Sequence, residues 1–374
     1  MKRLILLYLS FFIFNSFILA QEIINNPEKP LNKNAGRVAE LREVMQIKDV
    51  GGDFYFKYPR NLKIAPNGSI FIVDDEQLLQ FDRRGKFVHN FFKKGQGPGE
   101  MFFIWNYSFD KNNIIIHNSN PPKIIWFDFN GSIIKEFRIY KGPASLKFLA
   151  LYNNMYYFLS SDFPDIKGQS AVVDVPQNLI SITFDEQEIK NLKSFSTKTY
   201  VKVGKQGGRV FCPINSLTAV TFQKKFIFIS HTQEYLIKLY DLEKNQVTLQ
   251  FRRQYKRIKT PRGEEKKCGA MVDGKPVILP RQIYMDDIQN LFVSNGQLWV
   301  MTSKTDNEKR VLIDVFNFEG QYIDNFYLKF PENFAREIYG HKPMVVTGYF
   351  LYSIEQDEEG TYVIRKYKIE DINN

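Results

Sequence analysis

Residues 81–100 read FDRRGKFVHNFFKKGQGPGE, and the first half of this stretch recurs in weaker form along the chain. The recurring element is an aromatic residue followed by Asp or Asn and, in the better copies, by a Gly three residues later. The further copies begin at Phe127, Phe184, Tyr240, Phe316 and, in degenerate form, Tyr367. Repetition every ~45 to 75 residues predicts stacked supersecondary units such as the blades of a propeller.

The sequence around the first copy predicts a four-stranded antiparallel meander. Four short runs rich in β-branched and aromatic residues follow one another and are separated by turn residues. They are NLKIAP (61–66), SIFIVD (69–74), LLQFD (78–82) and KFVHNFF (86–92). Gly85 suits the last turn, because a tight turn between antiparallel strands needs a positive φ.

Four more copies of this four-run pattern follow, and a sixth copy has only three runs before the chain ends. The segment ELREVMQI (40–47), which precedes the first copy, can supply the missing outer strand. Closing a ring in this way protects exposed sheet edges. We therefore predict an all-β fold, a six-bladed β-propeller with four-stranded antiparallel blades, closed by an N-terminal strand that joins the last blade. The alternative is a large β-sandwich or two smaller β domains.

The segments NLKIAPNGSIFIVD, LLQFDRRGKFVHNF and GQGPGE together resemble the six-bladed, NHL-like propellers that are common among exported proteins of bacteria such as the Bacteroidetes. The resemblance covers most of the chain as a repeat, although only the first blade and its exit loop match closely. It implies a propeller fold and a location in the cell envelope. Because that family is functionally diverse, the resemblance implies no catalytic residue.

The N-terminus predicts export. Lys2 and Arg3 precede an apolar run over residues 4–14, and Ala20 ends an acceptable cleavage site, so residues 1–20 are interpreted as a signal peptide. The mature chain would then be periplasmic or extracellular, without a transmembrane segment; an uncleaved anchor is the alternative. Residues 21–37 are polar and predicted to be a flexible lead-in, and residues 38–372 a single propeller domain.

The formal charge of +10 is concentrated in two segments. Residues 252–283 carry ten Lys or Arg against three acidic residues, a net charge of +7, and residues 198–216 carry four Lys or Arg and no acidic residue. Both segments are predicted connections between blades, which share one face of a propeller and often carry function. We predict that this face binds an anionic partner through Lys202, Lys205, Arg209, Arg252, Arg253, Lys256, Arg257 and Lys259. A solvated loop that only maintains solubility is the alternative.

The only two cysteines, Cys212 and Cys268, lie in these same two segments. A disulfide between them is feasible in an oxidising compartment and would tie the basic insertion (residues 252–283) to its neighbour. Two unrelated buried thiols are the alternative, because the sequence does not fix the distance between their Cα atoms.

No catalytic motif occurs in the chain, which lacks G-x-S-x-G, H-E-x-x-H and C-x-x-C. We therefore predict no catalytic residue, no metal site and no cofactor. The ends of the second strands should lie around one mouth of the ring and give a candidate rim: Asp74, Asn118, His231 and Glu355. The GQGPGE loop is interpreted as a structural turn, with anion binding by its backbone as the alternative.

Three functional hypotheses follow. The first is an exported, non-enzymatic protein that binds an anionic protein, polysaccharide or other envelope component through its basic loops. The second is a hydrolase or lyase with an axial active site. The third is a purely structural scaffold. Nucleic acid is disfavoured as a partner because the chain is predicted to be exported.

Overall fold

The protein is built from β-strands. The computed structural model describes residues 22–371, except residues 50, 111, 120–121, 140–145, 167, 184–187, 264–265 and 331–343, and within these ranges the secondary structure contains no helix. Two strands, β1 (Ile23–Asn26) and β2 (Arg37–Lys48), precede the first blade. The predicted signal peptide lies outside the described residues.

The strands of the first three blades follow in chain order. Blade 1 consists of β3 (Pro59–Ile64), β4 (Ile70–Asp74), β5 (Gln77–Phe81) and β6 (Phe87–Asn90). Blade 2 consists of β7 (Ile104–Asp110), β8 (Asn113–Ser119), β9 (Pro122–Asp128) and β10 (Ile133–Arg138). Blade 3 consists of β11 (Leu146–Tyr152), β12 (Met155–Ser161), β13 (Ala171–Thr183), β14 (Ile189–Val203) and β15 (Arg209–Pro213).

The second half of the chain repeats this organisation. Blade 4 consists of β16 (Leu217–Phe222), β17 (Phe226–His231), β18 (Ile237–Asp241) and β19 (Gln246–Arg253), and a separate hairpin follows, β20 (Lys267–Val272) and β21 (Lys275–Ile278). Blade 5 consists of β22 (Ile288–Ser294), β23 (Gln297–Thr305), β24 (Val311–Phe316) and β25 (Tyr322–Lys329). Blade 6 contains β26 (Met344–Thr347), β27 (Phe350–Gln356) and β28 (Tyr362–Asp371).

Six hydrophobic clusters hold the blades together, one between each pair of successive blades and one between blade 6 and blade 1. Each sheet is therefore covered on both faces, which explains why strands such as β4 and β5 are buried at every position. Strands buried on both sides appear in sequence as continuous apolar runs. The all-β, six-bladed propeller predicted from these runs is confirmed.

The aromatic–Asp repeat has a structural cause in the turns between the third and fourth strands. The Asp82 carboxylate accepts hydrogen bonds from the backbone N–H groups of Arg84 and Lys86, at 2.8 and 2.9 Å, and these bonds lower its pKa. Gly85 closes the turn with a φ of +85°. Asp128 caps the corresponding turn of blade 2 in the same way. The Asp of the repeat thus satisfies the backbone donors of the turn.

The N-terminal strand β2 lies between blades 5 and 6. It pairs antiparallel with β28 from Ala39 to Lys48, and its first four residues pair in parallel with β25. Strand β2 is therefore the fourth strand of the sheet that contains β26, β27 and β28.

The segment before β2 differs from the flexible lead-in predicted for residues 21–37. Strand β1 pairs in parallel with β19 and adds a fifth strand to blade 4. Its last residue, Asn26, is buried, accepts the Tyr322 N–H and donates to the Gly320 carbonyl oxygen. The composition failed to indicate this because a free sheet edge and one buried amide, not an apolar run, fix the strand in place.

Blade 3 extends beyond the ring. Strands β13 and β14 have 13 and 15 residues, and the far end of β14 pairs with β15. Residues 198–216 are therefore mainly a hairpin, and part of the 252–283 insertion forms the β20–β21 hairpin. The prediction treated both segments as loops, although the alternating sequence TKTYVKV followed by a Gly-containing turn is typical of a hairpin.

Candidate functional site

We call the surface formed by residues 198–216 and 252–283 the basic platform. Its two segments are joined by a disulfide between Cys212 and Cys268, whose Cα atoms lie 5.6 Å apart. Cys212 is fully buried and packs with Ile214, Val277 and Leu279 in a small apolar cluster of its own. The platform is thus a covalently closed unit on the face from which blade 3 extends, and its two segments carry most of the excess positive charge.

The structure places seven of the eight predicted binding residues at least partly on the surface. Arg209 pairs with Asp165 at 2.6 Å, Arg257 pairs with Asp287 at 2.9 Å, and Arg252 donates to the Asn25 side chain. The remaining four are lysines, of which Lys202 is half-buried and the others are exposed. None of these four forms an ion pair with a described residue: Lys202, Lys205, Lys256 and Lys259.

The prediction that Arg253 belongs to the binding face is wrong. Its side chain lies between blades 4 and 5, only 5% of the residue is exposed, and its Nε donates to the Asp314 carboxylate at 2.7 Å. The hydroxyl groups of Tyr235 and Tyr322 donate to the same carboxylate, both at 2.6 Å. Because successive side chains of β19 point to opposite faces of the sheet, Arg253 points inward like Phe251. Its charge is paired inside the protein and is not presented at the surface.

The four candidate rim residues also have internal partners. The Asp74 carboxylate accepts the N–H groups of Lys57 and Tyr58, both at 2.7 Å, and the Asn118 side chain accepts the Phe103 N–H at 3.0 Å. These N–H groups lie directly before the first strands of blades 1 and 2. The ends of the second strands therefore satisfy the backbone where the chain enters the first strand of the same blade.

The other two rim residues, His231 and Glu355, are likewise engaged. Nδ1 of His231 accepts the Gln233 N–H at 3.3 Å, and burial lowers the pKa of this imidazole. Glu355 is buried and accepts hydrogen bonds from Ser353 and Tyr367 within blade 6. These interactions stabilise the blades. A binding role for the rim residues remains a prediction.

The GQGPGE loop is held by two carboxylates and a buried lysine. The Glu100 carboxylate accepts the Gly97 N–H, and the Glu136 carboxylate accepts the Gly99 N–H, both at 2.9 Å. Lys123 is fully buried and donates to the Gly97 carbonyl oxygen and to Glu136. A side chain at Gly95 would collide with Glu100, which explains the glycine there. These contacts give the loop a structural role.

The first strands of the six blades form the wall of the central axis. Strands β7, β11, β16, β22, β26 and β3 contact one another in this order around the ring, and side chains link several of them. The Nζ of Lys63 on β3 donates to the Asn106 side chain on β7 at 2.9 Å and to the Tyr107 carbonyl oxygen. Thr218 and Asn290 connect β16 with β22 in a similar way.

Two lysines on this wall lack a negative partner among the described residues. Burial and the neighbouring positive charge of Lys147 lower the pKa of Lys63 to about 7. Burial also lowers the pKa of Lys147. Lys147 lies on β11, and β7 stands between β11 and β3. By surface area Lys63 is half-buried and Lys147 is exposed.

The low pKa of Lys63 predicts a pH-dependent stability. Since the folded-state pKa is about 7 and the ordinary value is 10.5, the unfolded chain holds this proton between those values and the folded protein does not. The free energy of unfolding should therefore rise with pH between the folded-state pKa and the ordinary value. Below the folded-state pKa it is reduced by the full cost of keeping this lysine charged in the folded protein. Urea unfolding at pH 6 to 10 should show the rise in the wild type and its loss in Lys63→Met. Parallel curves for the two proteins would contradict the assignment, and Lys86→Met, on an exposed turn, serves as control.

Comparisons with known proteins identify the fold. Residues 49–227 match the family model DUF5128, described as a 6-bladed beta-propeller. The chain is similar to that family over this region. The fold is also similar to that of a Bacteroides fragilis protein whose name describes it as exported, with 12% identity, a TM-score of 0.53 and coverage of 94% of this chain and 100% of that one.

A Bacteroides vulgatus member of the DUF4221 family is similar to the same extent, with 10% identity, a TM-score of 0.53 and coverage of 91% of this chain and 100% of that one. At these identities the similarity concerns the fold. Among curated proteins none matches the sequence. No helix within the described ranges is long and apolar enough to cross a membrane.

The sequence interpretation missed the two axial lysines. A signal was present, because NLKI (61–64) and LKFLALY (146–152) each carry one charged residue within a strand that was predicted to be innermost. Charged residues are rarely placed in such strands without a partner or a function.

Proposed function

We propose that the protein is an exported, NHL-like propeller that binds an anionic partner through its basic platform and does not catalyse a reaction. The observation that carries this proposal is the group of four platform lysines without an ion pair among the described residues, on a surface closed by a disulfide. A rigid surface of uncompensated positive charge attracts polyanions at long range and accelerates their encounter.

The arrangement of the carboxylates supports binding over catalysis. An axial hydrolase or lyase needs an acid and a base that are free at the mouth of the ring. The two carboxylates of the candidate rim, Asp74 and Glu355, are instead buried and engaged with internal donors. The exposed lysine charges of the platform, by contrast, have no role in stabilising the fold, so a scaffold function alone does not account for them.

Charge reversal tests the proposal. The fourfold variant Lys202→Glu, Lys205→Glu, Lys256→Glu, Lys259→Glu should bind polygalacturonate or polyglutamate on the order of tenfold or more weakly than the wild type, because the attraction becomes a repulsion. Affinity is measured at several salt concentrations, and the wild type should show the steeper salt dependence.

A matched variant controls for net charge. Arg83, Arg84, Lys86 and Lys244 are exposed and lie in turns between third and fourth strands, outside the platform segments, and their joint change to Glu alters the total charge equally. This control should bind within about threefold of the wild type, since screened charges far from the contact contribute little. Equal loss in both variants, or no binding of either polyanion by the wild type, would refute a platform-specific site.

A further inference from the structure

A cavity of about 560 Å³ lies between blades 6 and 1, with the end of β7 of blade 2 beside it. Its lining includes the turns between the first and second strands of these two blades, at Ala65, Pro66, Gly68, Thr347 and Gly348. Successive turns of an antiparallel meander lie at alternate ends of its strands, so these turns are on the face opposite the connections between blades. The cavity is therefore separate from the basic platform, and its volume is in the range of small-molecule sites.

The cavity contains an ammonium group without a polar partner. Lys366 lines it and forms no ion pair or hydrogen bond with any residue that the structure describes. On β28, Tyr362 and Ile364 pack in the apolar cluster between blades 6 and 1, and Lys366 is the next residue on that side of the strand. Its Nζ lies over the rings of Phe350 and Tyr352, at 4.2 and 5.3 Å from their centroids. The rings position the ammonium group but leave its charge unneutralised.

The hydroxyl groups of the cavity also lack partners. Tyr352 is only 4% exposed, yet its hydroxyl forms no hydrogen bond with a described residue, whereas buried tyrosines usually satisfy this group. The hydroxyls of Ser108 and Thr347, near the ends of β7 and β26, are likewise unbonded within the described ranges. Because no acidic residue is among the described residues that line the cavity, the lining offers donors to an anion and does not repel it.

We propose that this cavity binds a small aromatic carboxylic acid in its ionised form. The carboxylate would accept charge-assisted hydrogen bonds from Lys366 and a hydrogen bond from the Tyr352 hydroxyl. The aromatic ring would fill the apolar part of the cavity, which is lined by Ile64, Phe109 and Phe350. A sugar acid fits less well, because most of its hydroxyls would face apolar side chains without a hydrogen-bond partner.

Calorimetry with matched probes tests the site. 4-Hydroxybenzoate is titrated into the full chain without its predicted signal peptide, and 4-hydroxybenzamide and galacturonate serve as the neutral and the polar probe. The aromatic acid should bind at least about tenfold more tightly than either, and Lys366→Met should weaken it about 10- to 100-fold, the usual value of a charge-assisted hydrogen bond. Lys368→Met should leave binding unchanged, because Lys368 lies outside the cavity and pairs with Glu370 at 2.9 Å. No binding of the aromatic acid at millimolar concentrations, equal affinity for its amide, or equal affinity in Lys366→Met would overturn the proposal.

A second measurement separates binding from a structural role. Neither Lys366 nor the Tyr352 hydroxyl has a polar partner to lose among the described residues, so unliganded Lys366→Met and Tyr352→Phe should melt within about 2 °C of the wild type. 4-Hydroxybenzoate should raise the melting temperature of the wild type more than that of either variant. A melting temperature of unliganded Lys366→Met that is lower by about 5 °C or more would show that the lysine supports the fold, and would overturn its assignment to a ligand.

Discussion

Replacement of Arg253 by Ala is expected to lower the free energy of unfolding by about 3–5 kcal/mol, because it leaves the Asp314 carboxylate buried without its cation. The arginine also lies over the rings of Tyr235, Tyr255 and Tyr322, at 5.0 to 5.2 Å from their centroids. Burial and the Asp314 charge raise the pKa of Tyr235 and Tyr322, so these hydroxyls stay protonated and cannot replace the lost charge. Urea denaturation measures the loss.

The neighbouring residue supplies a matched control. Arg252 is exposed, and among the described residues its side chain bonds only to that of Asn25, so Arg252→Ala should change stability by about 0.5 kcal/mol or less. The double variant Arg253→Met, Asp314→Asn removes both charges and should recover part of the loss. Equal stability of Arg253→Ala and Arg252→Ala would show that the pair between blades 4 and 5 does not hold them together.

Removal of the disulfide is expected to have the second largest effect. The double variant Cys212→Ser, Cys268→Ser frees a link across 56 residues, and in the chain-entropy treatment such a link stabilises the folded state by about 4 kcal/mol. The loss should concentrate in the platform, whose apolar cluster is small. Hydrogen exchange of residues 198–216 and 266–279 should accelerate, while that of β4 and β5 should not.

Reductant provides the control for the disulfide. It should lower the unfolding midpoint of the wild type towards that of the double variant, which itself should not respond. Wild-type protein that unfolds at the same denaturant concentration with and without reductant would contradict a stabilising bond. If platform binding of polyanions also weakens in the double variant, then the disulfide contributes to function by fixing the positions of the lysines.

The fold was predictable because its causes are local. Continuous apolar runs such as SIFIV follow from sheets that are covered on both faces, and the Asp of the aromatic–Asp repeat follows from the donors of one turn. Strand β1 was not predictable in this way. Its four residues carry no periodicity, and its position depends on the free edge of β19 and on the buried amide of Asn26.

The site was less predictable because a sequence alone does not show whether a charged side chain points to solvent or into the protein. Arg252 and Arg253 are adjacent and identical, yet strand alternation places one in solvent and the other between two blades. Counting charges therefore located the platform but assigned to its surface one arginine that is buried. Lys63 shows the reverse error, since an isolated charge in an apolar strand carries little weight in a charge count, although its surroundings lower its pKa to about 7.

The position of β2 between blades 5 and 6 also governs the order in which the molecule can be completed. Strand β2 is synthesised before the first blade, but its partner β28 is the last strand of the described chain. Until β28 is made, the sheet of blade 6 holds only β26 and β27, and β2 has no antiparallel neighbour. Such long-range pairing slows folding and exposes strand edges in the incomplete chain. Blade 6 is therefore completed only when β2 and β28 meet, and the loss of either strand would leave the same blade incomplete.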